Sequence, residues 1–596
     1  MLATRRRARG AARRGRLHAH RGRRARRAEV PRRGRQERLA DRDLEPGGRP
    51  ALRIPAGRRA LRDPAALPEG RSDRQRLGGG PLHLGDAPGA RVDASHGDLP
   101  FARRDRRRRG SALGPLVNVL DEIRRNARRH RDVTALAEGV EQLRYAELLS
   151  EVDDVAAELA SLGMSVPEPV ALVCRDSIDY VVASLAVLAL RATIVPVPAD
   201  TPGEVERILE QIDPRLVLYE AGAAKLSGGT PVQGLGRRGR EIRLVVRPGV
   251  RTRPPGYDDL GAAFLRFSSG TTSESKGVVL SHRAILERTE AANHGLKIGA
   301  SDRVLWVLSM SFHFVVTILL FLRNGATTVL CGREFPSSLA DGVVRHEPTV
   351  LYASPFHYRM MATSDLFDPA ALRQVRLAVS TAARLPTELA REFRHKFGIA
   401  LAEAYGIIEV GLPFLNDSGD PARDGSVGLA LPGYEVRFAD VEPDGIGEVE
   451  IRGPGLLDAY YAPWRPQSEI LRDGWFATGD LGRADADGFL HLAGRRKNVI
   501  NFAGMKVFPE EVEAVLRQCP GVLEALVYAR PHAEFGELPL ADVVLVPGLA
   551  TDDRAIRRFC YRHLASYKAP KEIRVVAEIA KTPSGKVRRW DRGETA

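Results

Sequence analysis

The chain has 596 residues, of which 43% are hydrophobic and 28% are charged, and its formal net charge at pH 7 is +15. This length and apolar content allow several domains, or one large domain with an appendage, and a sizeable core. The apolar runs at residues 181–190 and 312–322 are too short to span a membrane, which takes about 18 residues, and fit buried helices better.

The positive charge is confined to the first 110 residues. They hold 32 Arg, no Lys and 12 acidic residues, a net charge of +20, so the total of +15 leaves −5 for the rest of the chain. This disfavours nucleic-acid binding by the body of the protein. The segment is rich in Arg, Gly and Pro without helical or alternating periodicity, which predicts a disordered, low-complexity tail over residues 1–112.

The tail lacks an apolar core segment, so it is not a secretory signal, and its acidic residues do not fit a transit peptide. Three interpretations remain: an arm that binds polyanions, a solvated spacer, or a start codon placed too far upstream. The four cysteines, Cys174, Cys331, Cys519 and Cys560, show no CxxC spacing. They indicate neither a zinc knuckle nor a disulfide framework, and they suit a reducing, cytoplasmic location.

From about residue 113, predicted helices alternate with apolar strands, which favours a mostly parallel α/β sheet. Helices are predicted over residues 117–129, 145–162, 178–190 and 205–212, and strands over 170–173, 193–197 and 216–219. Residues 222–260, rich in Gly, Pro and Arg, are predicted to form loops or a divergent stretch.

Strands are predicted again at 304–308, 328–330, 350–352 and 377–379. A β-rich stretch follows, with strands at 436–438, 447–451 and 489–492. After residue 495 the pattern predicts a compact α+β unit, with helices at 509–516 and 553–564 and strands at 523–528 and 541–546.

The most informative segment is a loop of small residues between a strand-like stretch at 264–267 and a helix predicted from Ser281. Its glycines allow close backbone approach, and its hydroxyl and N–H groups are donors for phosphate oxygens. Lys276 adds a point charge suited to a phosphate. The loop is not a Walker motif, and a flexible linker is the alternative interpretation. The candidate phosphate-binding residues are Ser268, Ser269, Gly270, Thr271, Thr272, Ser273 and Lys276.

Five further motifs follow this loop in a fixed order. They are Tyr405-Gly-Ile-Ile-Glu409, Gly425-Ser-Val-Gly428 with Leu431-Pro-Gly433, Thr478-Gly-Asp480, Gly494-Arg-Arg-Lys-Asn-Val-Ile500, and Pro583-Ser-Gly-Lys586. Together with the loop, over residues 115–592, they strongly resemble the adenylate-forming superfamily, in its branch of AMP-dependent acyl-CoA synthetases and ligases.

The resemblance implies an α/β fold. A large N-terminal AMP-binding domain, with sheets, packed helices and a β-rich subdomain, would span residues 113–494. A small, mobile α+β lid domain would span residues 495–596. The Arg-rich tail would precede both.

The resemblance also implies roles around the nucleotide. The loop would hold the ATP phosphates, with Tyr405 and Gly406 beside the nucleotide. Glu409 would bind Mg²⁺, a hard cation that takes oxygen ligands. Asp480 would accept hydrogen bonds from the ribose hydroxyls, and Arg495 would lie near the same ribose. Taken alone, Asp480 and Glu409 would be interpreted as turn and loop residues.

The remaining implied roles concern catalysis and movement. Lys586 would be the catalytic lysine, neutralising charge on the α-phosphate and the attacking carboxylate, although a lone lysine in such a turn ordinarily faces solvent. Lys497 would be the hinge of the lid, and Gly504 would line the channel of the thiol. His313 would lie at the mouth of the acid pocket, where relatives that activate amino acids have Asp. Its apolar neighbours at 314–319 fit an acid pocket or a plain core helix equally well.

The implied activity uses ATP, Mg²⁺ and CoA. The carboxylate of a fatty or aryl acid would attack the α-phosphate of ATP and release pyrophosphate, and the thiol of CoA would then displace AMP. A carrier-protein phosphopantetheine is the alternative thiol, which would make the chain a stand-alone loading ligase. A different class of function, an inactive pseudoenzyme or a nucleic-acid binder acting through the tail, remains the third alternative. The sequence does not name the acid.

Three positions depart from the family pattern. Ile408 replaces a Thr or Ser, which removes one hydroxyl contact worth about 0.5–1.5 kcal/mol and predicts a slower enzyme rather than an inactive one. Asn501 replaces the usual Lys after the hinge. Residues 380–383, Ser-Thr-Ala-Ala, replace a Gly-rich turn that packs on adenine.

Overall fold

The structure is a computed structural model that describes residues 117–163, 168–220, 230–235, 242–246, 253–267, 276–332, 334–549 and 551–581. Residues 1–116, which contain the predicted tail, lie outside the described residues. The predicted tail therefore stays a prediction.

The described residues form 13 α-helices. They are α1 (Val119–Arg129), α2 (Tyr145–Ser161), α3 (Ile178–Ala189), α4 (Pro202–Ile212), α5 (His282–Leu296), α6 (Met310–His313), α7 (Leu320–Arg323), α8 (Ser337–His346), α9 (Pro355–Thr363), α10 (Thr387–Phe397), α11 (Gln467–Ile470), α12 (Pro509–Gln518) and α13 (Asp553–His563). A π-helical turn, Val315–Leu319, joins α6 to α7.

The same residues form 27 strands, in chain order. They are β1 (Thr134–Glu138), β2 (Glu141–Arg144), β3 (Pro169–Val173), β4 (Thr193–Pro196), β5 (Leu216–Glu220), β6 (Thr230–Leu235), β7 (Ile242–Val246), β8 (Ala262–Phe267), β9 (Gly277–Ser281), β10 (Arg303–Trp306), β11 (Thr327–Leu330), β12 (Val350–Ala353), β13 (Leu377–Ser380), β14 (Leu401–Ile407), β15 (Gly411–Asn416), β16 (Leu429–Ala430), β17 (Glu435–Ala439), β18 (Gly447–Arg452), β19 (Ala459–Tyr460), β20 (Arg465–Pro466), β21 (Phe476–Ala484), β22 (Leu490–Arg495), β23 (Ile500–Phe502), β24 (Met505–Val507), β25 (Val522–His532), β26 (Gly536–Leu545) and β27 (Glu572–Val575).

Two large sheets carry the N-terminal part of the fold. The first has nine strands in the order β16-β15-β14-β13-β12-β10-β11-β1-β2, and the second has nine in the order β20-β19-β9-β8-β4-β3-β5-β7-β6. Pairing is parallel from β14 to β1 and from β8 to β5, and antiparallel at the outer strands. The predicted parallel α/β arrangement is confirmed.

A layer of helices lies between the two sheets. Buried side chains of α2, α3 and α5 form one apolar core with side chains from both sheets. Helix α3 is buried around nearly its whole circumference, which suits its almost wholly apolar sequence. Helices α8, α9 and α10 cover the other face of the first sheet, and α4 covers the other face of the second.

Two smaller sheets follow along the chain. The third sheet, β17-β18-β21-β22, is antiparallel and forms the predicted β-rich part. The fourth sheet contains β24-β23-β26-β25, with β27 paired to β26, and packs with α12 and α13 around its own apolar core. This sheet and its helices are the predicted small C-terminal α+β unit.

One prediction is wrong: residues 222–260 are not all loop. Strand β7 pairs antiparallel with β5, and β6 pairs antiparallel with β7, so both extend the second sheet at its edge. The open edge of β5 offers backbone partners to the short apolar run of β7, and this tertiary pairing outweighs the flanking Gly and Pro residues.

Candidate active site

The Tyr405–Glu409 motif lies in a β-hairpin at the edge of the first sheet. Tyr405 and Gly406 belong to β14, and the register with β15 shifts between Tyr405 and Ile407. A Cβ atom added at Gly406 would lie 2.3 Å from the carbonyl oxygen of Gly411, so only glycine fits this crossing. The bulge directs the Tyr405 side chain inward and leaves Ile408 and Glu409 in the turn.

The phenol of Tyr405 donates a 2.5 Å hydrogen bond to Oδ2 of Asp480, and both residues are buried. Burial and the negative charge of Asp480 raise the pKa of Tyr405 well above its usual value, so the phenol stays a neutral donor. A backbone N–H of Asp480 also donates to Oγ1 of Thr478, at 3.0 Å. The structure thus brings two distant motifs together around one carboxylate.

Arg495 completes this group. Asp480 in β21 and Arg495 in β22 are direct antiparallel partners, and Nε of Arg495 lies 2.7 Å from Oδ1 of Asp480. The two oxygens of Asp480 therefore face one phenol and one guanidinium, and Arg495 is more exposed than the carboxylate it binds.

Lys497 lies in a short 3₁₀ turn, Arg496–Asn498, directly after β22. Desolvation, followed by the positive charge of Arg495, lowers the pKa of Lys497, and the charge of Lys276 acts in the same direction. The charge of Lys276, the predicted phosphate-binding lysine, therefore acts on Lys497, the predicted hinge lysine. Asn498 donates to Glu510 of α12 at 3.3 Å, which ties this turn to the C-terminal unit.

Lys276 and Glu409 meet through Tyr460. Nζ of Lys276 lies 5.1 Å from the centroid of the Tyr460 ring, and the Tyr460 hydroxyl donates to Oε1 of Glu409 at 3.4 Å. Strand β19, which contains Tyr460, pairs with β9 directly after Lys276. A predicted phosphate cation and a predicted Mg²⁺ ligand are thus placed on either side of one tyrosine that the sequence analysis did not single out.

A buried arginine holds the backbone of this region. Arg288 of α5 donates to the carbonyl oxygens of Ile408 at 2.8 Å, Glu409 at 3.4 Å and Gly455 at 2.9 Å. Burial lowers its pKa to about 10. Helical periodicity contained the signal, because Arg288 lies three residues after the buried Ile285 and four before the buried Ala292.

His313 ends α6 and is half-buried. Its apolar neighbours belong to the core: Phe314 stacks on Phe264, and Val315, Ile318 and Leu319 are buried between the sheets. They support the core interpretation of residues 314–319 rather than that of an acid pocket. The π-helical turn after α6 is a local irregularity of a kind often found at functional sites, and the sequence did not predict it.

The three departures have local structural correlates. The Ile408 side chain packs against the main core. Ala382 adopts a left-handed backbone with φ of 71° in the turn after β13, so the glycine conformation is retained without glycine. The backbone N–H of Asn501 donates to Glu537 at 2.7 Å.

Gly504 lies apart from the nucleotide residues. It has φ of +81° in the turn between β23 and β24, after Ala503 at +49°, and a Cβ added to it would meet nothing within 4 Å. The loop residues Ser268, Ser269, Gly270, Thr271, Thr272 and Ser273, together with Lys586, lie outside the described residues. Their predicted positions therefore stay predictions.

Two family models match the chain. That of the AMP-binding enzymes matches residues 123–461, and that of the AMP-binding enzyme C-terminal domain matches residues 511–586. The chain belongs to the AMP-binding enzyme family. The resemblance to the adenylate-forming superfamily and its acyl-CoA ligase branch is confirmed, as is the fold class of a large N-terminal and a small C-terminal domain.

Members of the AMP-binding family that resemble this chain include a sulfoacetate–CoA ligase of Cupriavidus necator, 33% identical over 415 residues, which are 65% of this chain and 79% of that protein. The 4-coumarate–CoA ligase-like protein 4 of Oryza sativa is 29% identical over 557 residues, 85% of this chain and 98% of that protein. The crystal structure of ATP-bound MatB from Rhodopseudomonas palustris superimposes with a TM-score of 0.69 at 27% identity and covers 79% of this chain and 97% of that one. No described helix of this AMP-binding enzyme is long and apolar enough to cross a membrane.

Proposed function

We propose that this AMP-binding enzyme activates a carboxylic acid with ATP and transfers the acyl group to the thiol of CoA. The observation that carries the proposal is the convergence on Asp480, where a buried carboxylate is held by Tyr405 and Arg495 and lies in one field with Lys276 and Lys497. A two-oxygen acceptor fixed in this way is suited to the two hydroxyls of a ribose. The similarity to a sulfoacetate–CoA ligase and to a 4-coumarate–CoA ligase-like protein supports the same chemistry.

Glu409 is the residue we assign to Mg²⁺. Among the described residues no group of three or more His, Cys, Asp or Glu side chains is arranged to hold a metal ion. A single carboxylate fits Mg²⁺, which commonly takes one or two protein carboxylates and completes its shell with water and substrate phosphates. When bound, the ion would neutralise phosphate charge, while Arg288 holds the backbone that carries Glu409.

The residues of this chain would then have separate roles in the two half-reactions. Lys276 and the loop before it would bind the β- and γ-phosphates, and Asp480 with Tyr405 would orient the ribose. Lys586 would approach the α-phosphate in the first half-reaction and leave it in the second, when the C-terminal domain turns about Lys497 and brings the turn at Gly504 towards the thiol. Three products would follow in order: pyrophosphate from the first half-reaction, then AMP and the thioester from the second.

The substrate is proposed to be a fatty or aryl acid. His313, half-buried at the end of α6, carries no permanent negative charge and so offers no partner for the ammonium group of an amino acid. The described core positions of residues 314–319 leave the size of the acid open, so a panel of acids is required.

The test is ATP–pyrophosphate exchange with fatty, aryl and short-chain acids, followed by thioester formation. We expect exchange with a subset of the acids, loss of exchange in Lys276→Ala, and loss of adenylation in Lys586→Ala. Full activity in Lys586→Ala would remove that lysine from the mechanism. Absence of exchange with every acid would support a pseudoenzyme and contradict the proposed function.

The second half-reaction is tested by offering free CoA and a holo carrier protein in parallel. We expect the thioester on CoA, detected by mass spectrometry, with AMP released in equal amount. Product found only on the carrier would make the chain a loading ligase. Deleting residues 1–110 and repeating both assays, with a nucleic-acid retention assay, tests the tail: unchanged results would leave it without a role in either activity.

A further inference from the structure

Arg266 is a guanidinium placed beside the site without an ion pair to any described carboxylate. It lies in β8, two residues before Ser268, and its Nη1 donates to the carbonyl oxygen of Phe312 at 3.2 Å. Its Cζ lies 4.8 Å from the centroid of the Phe312 ring. Its Nε is buried and has no hydrogen-bond partner among the described residues.

Arg266 occupies a position of β8 where the alternation of side chains along the strand predicts an apolar residue. Arg266 pairs with Val278 of β9, which fixes its backbone, and Phe264 lies two residues earlier on the same face, within the core between the sheets. A guanidinium here loses hydration, and burial lowers its pKa to about 10. Arg266 is half-buried by its accessible surface, and a partly desolvated guanidinium without an ion pair among the described residues favours an anion.

Two described carboxylates act electrostatically on Arg266. The negative charges of Glu409 and Glu204 oppose the effect of burial. Glu409 is also the residue assigned to Mg²⁺, and an ion bound there would cancel the charge that Arg266 feels most strongly. In the loaded enzyme Arg266 would therefore need a negative group supplied by a substrate.

We propose that Arg266 is an oxyanion receptor that takes a second anionic group, a carboxylate or sulfonate, carried by the acid substrate. Nε lies on the edge of the guanidinium that binds oxyanions in a bidentate manner. The proposal rests on the proposed function, and it narrows the substrate class to acids with two anionic groups.

The acid is favoured over the nucleotide as the source of this oxyanion. Arg266 is hydrogen-bonded to Phe312, the neighbour of His313, which we place at the mouth of the acid pocket. The phosphate side has its own cation, because Lys276 lies over the ring of Tyr460, whose hydroxyl donates to Glu409. A phosphate of ATP or pyrophosphate has the same chemistry, so the experiment contains an arm for each source.

The experiment compares acids that share a carbon skeleton but differ in charge: butyrate with succinate, propionate with malonate, and benzoate with phthalate. KM and kcat in ATP–pyrophosphate exchange are measured for the wild type, Arg266→Met and Arg266→Lys. We expect the wild type to prefer a dianionic acid. Arg266→Met should raise the KM for that acid roughly 10- to 100-fold, as for a lost charged hydrogen bond, and leave the monoanionic partner within about twofold. Arg266→Lys should fall between the two.

Arg323→Met is the matched control. Burial lowers the pKa of Arg323 as well, but this residue lies in α7, donates to the carbonyl oxygen of Leu286 at 3.1 Å and pairs with Glu290 at 3.4 Å. The acid selectivity of the Arg323→Met variant should equal that of the wild type. Thermal unfolding of each variant separates a lost contact from a lost fold, and Arg266→Lys keeps the comparison valid if Arg266→Met is unstable.

The alternatives give distinct results. An equal rise in the KM for ATP with every acid would assign the oxyanion to the nucleotide and overturn the acid assignment. Unchanged constants in both Arg266 variants would overturn the receptor itself. If the wild type exchanges with no acid, the proposed function fails, and calorimetric binding of succinate and of pyrophosphate to wild type and Arg266→Met still decides the role of Arg266.

Discussion

The guanidinium of Arg288 donates a 2.8 Å hydrogen bond to the carbonyl oxygen of Ile408, although Ile408 follows it by 120 residues. The same side chain reaches Glu409 and Gly455, and the backbone N–H of Leu457 also donates to the Glu409 carbonyl at 2.8 Å. The turn that carries the proposed Mg²⁺ ligand is thus held by a helix of the central layer.

Replacing Arg288 by Met should weaken both the fold and the use of Mg²⁺. The carbonyl oxygens of Ile408 and Gly455 would lose their donor in a buried place, and we expect a loss of about 2–4 kcal/mol in the free energy of unfolding by urea. The Mg²⁺ concentration for half-maximal exchange should rise. Arg283→Met, an exposed change on the same helix, is the control and should alter stability by less than about 0.5 kcal/mol. An unchanged Mg²⁺ dependence in Arg288→Met would show that the hydrogen bonds of Arg288 to this turn do not contribute to Mg²⁺ binding.

Tyr405→Phe should reduce nucleotide affinity with little effect on the fold. It removes the O–H donor that holds Oδ2 of Asp480 and leaves Arg495 as the remaining fixed partner. We expect the KM for ATP to rise roughly 10-fold, in line with a hydrogen bond to a charged group, while the KM for the acid stays unchanged. Tyr434→Phe is the matched control, since its hydroxyl makes a 3.4 Å contact to the Val410 carbonyl. Equal effects of both changes would argue against a nucleotide role for Tyr405.

Glu403 should make stability depend on pH. Burial raises its pKa to about 7, from an ordinary value near 4.5, and outweighs the hydrogen bond from the Leu385 N–H, which favours the charged form; Oε2 has no hydrogen-bond partner among the described residues. The folded state therefore holds a proton that the unfolded state releases between about pH 4.5 and 7. The stability from this group is complete below that window and is lost as the pH rises through it, by roughly 3 kcal/mol at most.

Glu403→Gln keeps the shape and removes the ionisation, so its urea-unfolding free energy should fall less than that of the wild type between pH 4.5 and 8. The unfolding free energy of Glu403→Gln relative to that of the wild type should therefore increase with pH. Glu388→Gln, the same substitution at an exposed position on α10, is the control, and its curve should run parallel to that of the wild type. Parallel curves for all three proteins would contradict the assignment.

Ala382→Gly should stabilise the turn after β13. An alanine at φ of 71° carries a strain of about 1–2 kcal/mol that glycine avoids, and the greater freedom of glycine in the unfolded chain cancels part of the gain. We expect a net gain of about 0.5–1 kcal/mol by thermal or urea unfolding. Ala383→Gly lacks the positive φ and should instead lose about 0.4–1 kcal/mol. Destabilisation by both changes would mean that the Ala382 conformation is not strained.

The regular elements were predictable because their signals are local. Helix α2 and the strands β3, β4 and β5 follow from apolar periodicity, and the order of motifs predicted the family. Strands β6 and β7 were missed because their pairing depends on the open edge of β5 rather than on their own composition. The π-helical turn after α6 is likewise set by packing between the sheets.

Within the site, the motif residues could be predicted from the sequence, but the contacts that hold them in place could not. Asp480 and Arg495 belong to motifs, but their direct pairing across β21 and β22 depends on the register of the third sheet. Tyr460 and Arg266 lie in stretches without a motif, and only the folded chain places them beside Glu409 and Phe312. Arg288 is the exception, since helical spacing alone put it on the buried face of α5.

The pairing of Asp480 with Arg495 has a mechanical consequence. Only one residue, Arg496, separates Arg495 from Lys497, so the strand that holds the proposed ribose site continues directly into the proposed pivot. A rotation of the C-terminal domain would therefore act through β22 on the salt bridge between Asp480 and Arg495. Nucleotide occupancy and lid angle would then be thermodynamically coupled, and by reciprocity an acyl-adenylate that favours one angle would itself be held more tightly at that angle.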